Sequence, residues 1–184
     1  MAHPDLATRP ATVDDAAGIA RVHVLGWQVG YRELLPGSFL AELSAPGALE
    51  RRTTTWAGWL DDGADVTVAV DGEGRVLAFC SCGPSRDEDA AEGTGEVYAL
   101  YADPDAWGAG AGFAAHRGVL RRVAERGFEA ATLWVLEGNT RARQFYERQG
   151  WVLDTAPGSR KTEEIGGAEL AEVRYRRDLT SAGR

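Results

Sequence analysis

Runs of apolar residues divide the chain into predicted strands. Residues 66–70 and 76–80 are two such runs on either side of a glycine-containing turn, a pattern typical of a β-hairpin. Residues 97–101 and 131–136 are further apolar runs bounded by turn residues, which predicts two more strands. The full set of predicted strands is 6–9, 66–70, 76–80, 97–101, 131–136, 151–154 and 168–177.

Apolar residues at helical spacing predict the helices. The predicted helical segments are a stretch after residue 12 that ends by residue 36, then residues 46–60, 113–126 and 141–149. Thr12 and Asn139 are predicted N-caps, and Gly150 is the predicted residue just past the C-terminus of the last helix. The polar stretches 83–94 and 156–161 are interpreted as loops, the first of them mobile.

A glycine-rich segment, residues 107–112, joins a predicted strand to a predicted helix and reads Trp-Gly-Ala-Gly-Ala-Gly. The first amides of a helix have no partner inside it, and the helix dipole favours negative charge there, so this segment predicts an anion site, with phosphate as the anion. The glycine spacing does not fit the dinucleotide fingerprint. The nucleoside-triphosphate loop needs a lysine there, and the one lysine of the chain is Lys161. The alternative is that the glycines only allow close packing of helix on strand.

Two segments taken together resemble a known family. Leu-Tyr-Ala-Asp-Pro from Leu100 leads to the glycine-rich segment, and Asn139 is followed by Ala142, Phe145-Tyr146 and Gly150-Trp151. This pair resembles the two acyl-CoA-binding motifs of the GCN5-related N-acetyltransferase (GNAT) superfamily, over residues 67–151. The resemblance implies an α/β (mixed α+β) fold. Its mostly antiparallel mixed sheet would splay between strands 4 and 5, with helices on both faces and the pantetheine arm in the split.

The resemblance also implies how the donor, acetyl-CoA, is bound. Backbone amides would hold its diphosphate, the edge of the central strand would pair with its pantetheine arm as a further strand would, and Asn139 would contact that arm. The residues concerned are Gly108, Ala109, Gly110, Ala111, Gly112 and Phe113 for the diphosphate, and Leu100, Tyr101 and Ala102 for the arm. Trp107 stands where relatives often have Gln or Arg, which removes one possible polar contact.

Two residues are predicted to be catalytic from the same resemblance. Glu96 matches a glutamate that serves many relatives as general base, directly or through water, and burial would disfavour its charged form. Tyr146 matches the tyrosine that relatives place beside the CoA sulfur, where it would donate a hydrogen bond to the leaving thiolate. The alternatives are a surface carboxylate for Glu96 and a purely packing role for Tyr146. No cysteine lies in the motif strands, so direct attack by the amine is expected.

The acceptor is the least determined part. Trp27 and Tyr31 lie on the first predicted helical segment, which in similar enzymes borders the acceptor pocket; the alternative is that both are core aromatics. His23, beside them, is expected to be a surface histidine. A small-molecule amine and a protein N-terminus are both open as acceptors. A non-catalytic acyl-CoA sensor and a partner-binding module are the competing functions.

Length and charge exclude several classes of function. With 184 residues, the chain is expected to form one domain, 1–184. The net charge of −8 without a basic cluster argues against binding to a nucleic-acid backbone, and no apolar run reaches the length of a membrane span. We expect a cytoplasmic protein, with a homodimer left open. Cys80 and Cys82 lie two apart in one strand, which suits neither a disulfide nor, without nearby ligands, a metal site.

Overall fold

The structure, a computed structural model, describes residues 6–180, and within them one sheet carries helices on both faces. The strands are β1 Ala7–Pro10, β2 Asp65–Val70, β3 Val76–Pro84, β4 Thr94–Ala102, β5 Ala130–Leu136, β6 Val152–Leu153, β7 Arg160–Ile165 and β8 Ala168–Asp178. The helices are α1 Ala16–Gly30, α2 Gly37–Glu42, α3 Ala48–Asp61, α4 Ala111–Glu125 and α5 Thr140–Arg148. The sheet order is β1-β2-β3-β4-β5-β8-β6, with β7 paired to β8.

Every strand pair in this sheet is antiparallel except β4–β5, which is parallel. The parallel pair is joined by α4, as a parallel connection requires a crossover. This arrangement confirms the expected fold class, a mixed and mostly antiparallel sheet.

The sheet separates two apolar cores. On one face α1 and α3 cover a core that includes Ile19, Trp56 and Phe79. On the other face α4 and α5 cover a core that includes Val119 and Tyr146. Strand β2 is buried on both faces, which explains its continuous apolar run. Within residues 6–180, no helix combines the length and the apolar character that a membrane span needs.

The predicted signals at both ends of α5 are confirmed. The Asn139 side chain accepts a hydrogen bond from the Ala142 amide at 3.1 Å, and so occupies the N-cap. Gly150 follows the helix with a φ of 80°, the left-handed conformation that glycine adopts most easily.

Strand β7 and helix α2 were not predicted, and the loop prediction for 156–161 is wrong at its C-terminal end, where β7 begins. Strand β7 reads Arg-Lys-Thr-Glu-Glu-Ile and has no apolar face. Its sequence therefore lacks the alternation of apolar and polar residues that predicts a strand. It forms because Gly166 and Gly167, both at positive φ, make a tight turn into β8. The Lys161 ammonium then pairs across the strands with Glu172 at 3.3 Å.

The segment 85–93, expected to be a mobile loop, is fixed to the sheet by charge. Arg174 on β8 is buried and donates to both carboxylate oxygens of Asp89, at 2.6 and 2.8 Å. It also contacts Asp87 at 3.2 Å and Asp154 at 2.8 Å. The Trp134 indole donates to Asp87 at 2.8 Å. One buried arginine therefore anchors the segment that leads into β4.

Two histidines are withdrawn from water, His23 in part and His116 completely. His23, expected at the surface, lies among aromatic rings, 4.6 Å from the ring centroid of Tyr101 and 5.8 Å from that of Trp56. Burial lowers the pKa of His23 to about 3. His116 on α4 is fully buried and accepts a hydrogen bond from the Trp151 indole at 3.0 Å, and burial lowers its pKa to about 4. Both side chains are therefore neutral in the folded protein at pH 7.

The depressed pKa of His116 predicts a stability loss in mild acid. Below its unfolded value of 6.5 the imidazole gains a proton in the unfolded chain, whereas in the folded chain it stays neutral until about pH 4. The free energy of unfolding should therefore fall between these pH values, by up to about 3 kcal/mol from this group. His116→Gln keeps an acceptor for Trp151 but cannot be protonated, so urea unfolding of this variant should depend less on pH. Identical pH slopes in the two proteins would contradict the assignment.

Candidate functional site

A cleft opens in the sheet where β4 and β5 part. Their parallel pairing covers four residue pairs, from Thr94↔Ala130 to Val97↔Leu133. The next residue of β4, Tyr98, is skipped in the register with β3, which is a β-bulge. A bulge bends its strand and increases its twist, so the remainder of β4 turns away from β5. The cavity between the two strands has a volume of about 770 Å³.

The glycine-rich segment lies at one end of this cleft. Gly108 and Gly110 adopt φ values of 81° and 94°, and Gly110 is the N-cap of α4. Within residues 6–180 no acceptor is found for the amides of Gly108, Gly110, Ala111, Gly112 and Phe113. The amide of Ala109 differs, because it donates to the Ala106 carbonyl at 3.1 Å and is thus engaged in the loop. Five of the six amides expected to hold a phosphate are therefore available.

Two side chains fix this loop. The buried Asp103 carboxylate accepts from the Asp105 amide at 3.1 Å, from Arg21 at 2.6 Å and from Arg75 at 2.8 Å. The Trp107 indole donates to the Ala102 carbonyl at 3.0 Å. The loop is thus shaped by its own chain before any ligand arrives, which lowers the entropic cost of binding.

Several residues that the resemblance implicated line the cleft. Leu100, Tyr101 and Ala102 line it from β4, and Asn139 and Tyr146 line it from the β5–α5 side. Tyr146 is 7% exposed. Burial raises the pKa of Tyr146, and Cys80 and Tyr31 add to the shift. The phenol is consequently protonated at any physiological pH and can act only by donating or accepting a hydrogen bond.

Aromatic rings border the other end of the cleft. Trp27 and Tyr31 both line it, with ring centroids 5.0 Å apart. The indole nitrogen of Trp27 is buried and has no hydrogen-bond partner within residues 6–180. Burial raises the pKa of Tyr31; the Tyr101 hydroxyl opposes this shift and the Glu172 carboxylate adds to it. Both aromatic side chains thus present polar atoms next to the cleft as well as apolar surface.

Glu96 lies apart from the other predicted site residues. It is 2% exposed and is not among the residues that line the cleft. One of its carboxylate oxygens accepts from the Arg86 guanidinium at 2.5 Å, and the other from the Arg86 amide at 2.9 Å. Arg86 therefore occupies both carboxylate oxygens of Glu96. Its role as general base stays a prediction.

Several cleft residues were not singled out in the sequence, and three of them matter most for the chemistry of the site. Trp134 on β5, Glu172 on β8 and Arg141 on α5 all line the cleft, Arg141 next to Trp107 of the glycine-rich segment. Trp134 and Glu172 come from strands whose faces depend on register, so the sequence carries no local signal for them. Arg141 stands two residues after the predicted cap Asn139, at the start of α5, which is a signal that could have been used.

Neither a metal nor a reactive thiol is found at the site. Across residues 6–180, no group of three or more His, Cys, Asp or Glu side chains is arranged to hold a metal ion. Cys80 and Cys82 are free and buried. Burial raises the pKa of both thiols, that of Cys82 to about 12. Both cysteines are therefore protonated at neutral pH.

Comparisons with known proteins agree with the geometry. A model of the acetyltransferase (GNAT) family matches residues 30–151. An uncharacterized N-acetyltransferase of Bacillus subtilis, YuaI, is 33% identical over 173 residues, which cover 91% of this chain and 90% of that protein. A mycothiol acetyltransferase of Beutenbergia cavernae is 38% identical over 94 residues, but these are 51% of this chain and 30% of that protein. The PaiA N-acetyltransferase of Thermoplasma acidophilum, solved with coenzyme A, superposes with a TM-score of 0.66 at 13% identity, covering 94% of this chain and 98% of that one.

The loop geometry predicts that Gly110→Val abolishes coenzyme A binding. A Cβ at Gly110 meets no protein atom within 4 Å, so the valine side chain would project into the open space beside the free amides. The φ of 94° at this position also strains the backbone of any residue other than glycine. Thermal unfolding of the wild type should shift upward with coenzyme A, because a ligand that binds the native state stabilises it. In Gly110→Val this shift should disappear.

Gly63→Val is the matched control. Gly63 also has a positive φ, 87°, and equally open space, but it follows α3 and does not line the cleft. Both variants should melt at a lower temperature than the wild type, and only Gly63→Val should keep the shift with coenzyme A. An unchanged shift in Gly110→Val would count against the loop as the phosphate site.

Proposed function

The chain belongs to the GNAT family of acetyltransferases, and from this we propose that it transfers an acetyl group from acetyl-CoA to a primary amine. The reaction would be a direct attack of the amine on the thioester, with both substrates bound at once. The observation that carries the proposal is the row of free amides at Gly108 and from Gly110 to Phe113, at the end of a cleft that is open along β4.

The free amides suit a diphosphate because they supply several donors at the start of a helix without a fixed charge. The diverging part of β4 presents a strand edge that β5 no longer covers. An extended pantetheine arm with two amide groups can pair with such an edge in the way an added strand does. Backbone groups would therefore supply most of the contacts to the donor.

The remaining end of the cleft suits an amine. Trp27, Tyr31 and Trp134 offer aromatic surface, and the Glu172 carboxylate lies beside Tyr31. A primary ammonium is attracted both by a carboxylate and by the faces of aromatic rings. The chain itself shows the pairing, because the Lys161 ammonium lies 4.5 Å from the Trp134 ring centroid and 3.3 Å from Glu172.

The chemical step needs a neutral amine whose nitrogen attacks the thioester carbon. The C–N bond forms, the C–S bond breaks, and the amine proton ends on the departing sulfur. An acetyl-enzyme intermediate would need a cysteine thiolate, and both thiols are buried and protonated. These properties support direct attack.

Tyr146 would serve the leaving group. Its phenol stays protonated and lines the cleft beside Asn139. A hydrogen bond from this hydroxyl would stabilise the developing thiolate, which is a stronger acceptor than the thioester sulfur. This interaction strengthens in the transition state, so it would act on kcat more than on donor affinity.

For the amine proton, two carboxylates compete. Glu96 is the residue that matches the family, but Arg86 holds both of its oxygens. Glu172 lines the cleft and its side chain is 18% exposed. We therefore place the incoming ammonium at Glu172, whose carboxylate would take the extra proton before the neutral nitrogen attacks. We assign Glu96 to fixing Arg86 and the segment 85–93.

A screen for thiol release separates this function from the alternatives. Acetyl-CoA would be incubated with a diamine, an aminoglycoside, an amino acid and a peptide with a free N-terminus, and released CoA would be measured. Release with at least one amine class supports the proposal. Coenzyme A binding without release for any amine would favour a non-catalytic sensor, and the absence of binding would favour a partner-binding module.

Tyr146→Phe should lower kcat roughly 10- to 100-fold, because one hydrogen bond to a developing charge is lost. The affinity for coenzyme A should change little. Tyr175→Phe is the matched control, since Tyr175 is equally buried but its hydroxyl contacts Arg143 and Glu147 and not the cleft. Steady-state rates and calorimetry measure both quantities. An unchanged kcat in Tyr146→Phe would remove the residue from the mechanism.

Glu172→Gln should raise the KM for the amine about 10-fold, the usual loss for a hydrogen bond to a charged partner. Glu163→Gln is its control, because Glu163 also pairs with Lys161, at 3.2 Å, but does not line the cleft.

Glu96→Gln should chiefly lower the melting temperature. A large kcat loss in Glu96→Gln with an unaltered melting temperature would instead return the role of base to Glu96.

A further inference from the structure

Arg141 and Trp107 form a stacked pair at the glycine end of the cleft. The guanidinium carbon of Arg141 lies 3.5 Å from the centroid of the Trp107 ring. The ring itself is held by its hydrogen bond to the Ala102 carbonyl. Arg141 is the second residue of α5 and Trp107 opens the glycine-rich segment, so the pair joins the two motifs across the cleft.

The charge of Arg141 has no anionic partner in the part of the chain that the structure describes. Within residues 6–180, no carboxylate forms an ion pair with it, whereas Arg86, Arg122 and Arg174, for example, each contact an aspartate or glutamate. Burial lowers the pKa of Arg141, as expected for a cation partly withdrawn from water without a counter-ion. Arg32 and Arg148 line the same cavity and also form no ion pair within residues 6–180, so it is the stack on Trp107 that distinguishes Arg141.

The surroundings of Arg141 indicate which anion it would take. It lines the same cavity as Gly108, Gly110 and Gly112, whose amides point to a phosphate. A guanidinium presents a planar set of donors that matches phosphate oxygens, and stacking on an indole leaves the edge of that plane free to donate. The loop has no charged side chain of its own between Trp107 and Phe113.

We propose that Arg141, held flat by Trp107, binds a phosphate group of the acyl-CoA donor and closes the anion site that the loop amides begin. This rests on the proposed function. It adds a charged contact from α5 to a site otherwise made of backbone. It also ties donor binding to the approach of α5, the helix that carries Tyr146.

Other cations near the cleft fit this role less well. Arg148 and Arg32 also line the cavity, but neither is stacked on the glycine-rich segment. Arg117 lies 5.5 Å from the Phe113 ring but is not among the lining residues. Arg141 is thus the cation both positioned by the loop and facing the cavity.

The test is calorimetric binding of three ligands to the full chain: coenzyme A, dephospho-coenzyme A and pantetheine. Arg141→Gln should bind coenzyme A about 10-fold or more weakly than the wild type, and its affinity should depend less on salt, because one charge contact is lost. Pantetheine, which has no phosphate, should bind both proteins equally. Arg121→Gln, an exposed residue of α4 outside the cleft, is the control for net charge.

The ligands also identify the phosphate. If Arg141 contacts the diphosphate, the loss in Arg141→Gln persists with dephospho-coenzyme A; if it contacts the 3′-phosphate, the loss vanishes with that ligand. Trp107→Leu removes the stack but keeps the charge of Arg141, so it should lose less affinity for coenzyme A than Arg141→Gln does.

Equal affinity of Arg141→Gln and wild type for coenzyme A would overturn the proposal. An equally large loss of affinity for pantetheine would also overturn it, because that would indicate a structural role for Arg141. A wild type that binds no coenzyme A would instead remove the proposed function itself.

Discussion

The structure depends on the point where β4 stops pairing with β5. Four parallel residue pairs hold the two strands together, and the bulge at Tyr98 then turns β4 aside. The cleft, the uncovered edge of β4 and the position of the glycine-rich segment all follow from this break. A sheet that continued in register would have satisfied the same backbone groups internally and left no room for a ligand.

The break also divides the cleft into two chemically different ends. At one end, β4 leads into α4 through the glycine-rich segment. Its glycines have no side chains, so the backbone amides there are exposed to the cleft. Elsewhere the cleft is lined by Trp27 from α1, by Tyr31 just after it, and by Trp134 and Glu172 from the sheet. Tyr146 lines the same cleft from α5. The backbone amides proposed to hold the phosphate and the side chains proposed to hold the amine are therefore different groups of the same cleft.

Local signals in the sequence were sufficient for some parts of this account and not for others. The cap at Asn139, the glycine at position 150 and the glycine-rich segment depend on neighbouring residues, and the structure has these features as predicted. Strand β7 was missed because cross-strand charge pairs and a glycine turn stabilise it, not an apolar period. The pairing of Glu96 with Arg86 joins residues ten apart through a loop whose course no pattern indicates. The engagement of the Ala109 amide, likewise, depends on the exact turn of the loop.

The central claim is that the bared amides of the glycine-rich segment, at the end of the split between β4 and β5, hold the diphosphate of an acyl-CoA. A crystal structure of the chain grown with coenzyme A tests it most directly. The account predicts the diphosphate within hydrogen-bond distance of the amides from Gly110 to Phe113, and the pantetheine arm along β4 towards Tyr146. Coenzyme A bound elsewhere on the protein, or absent from a cleft that is open in the crystal, would contradict it.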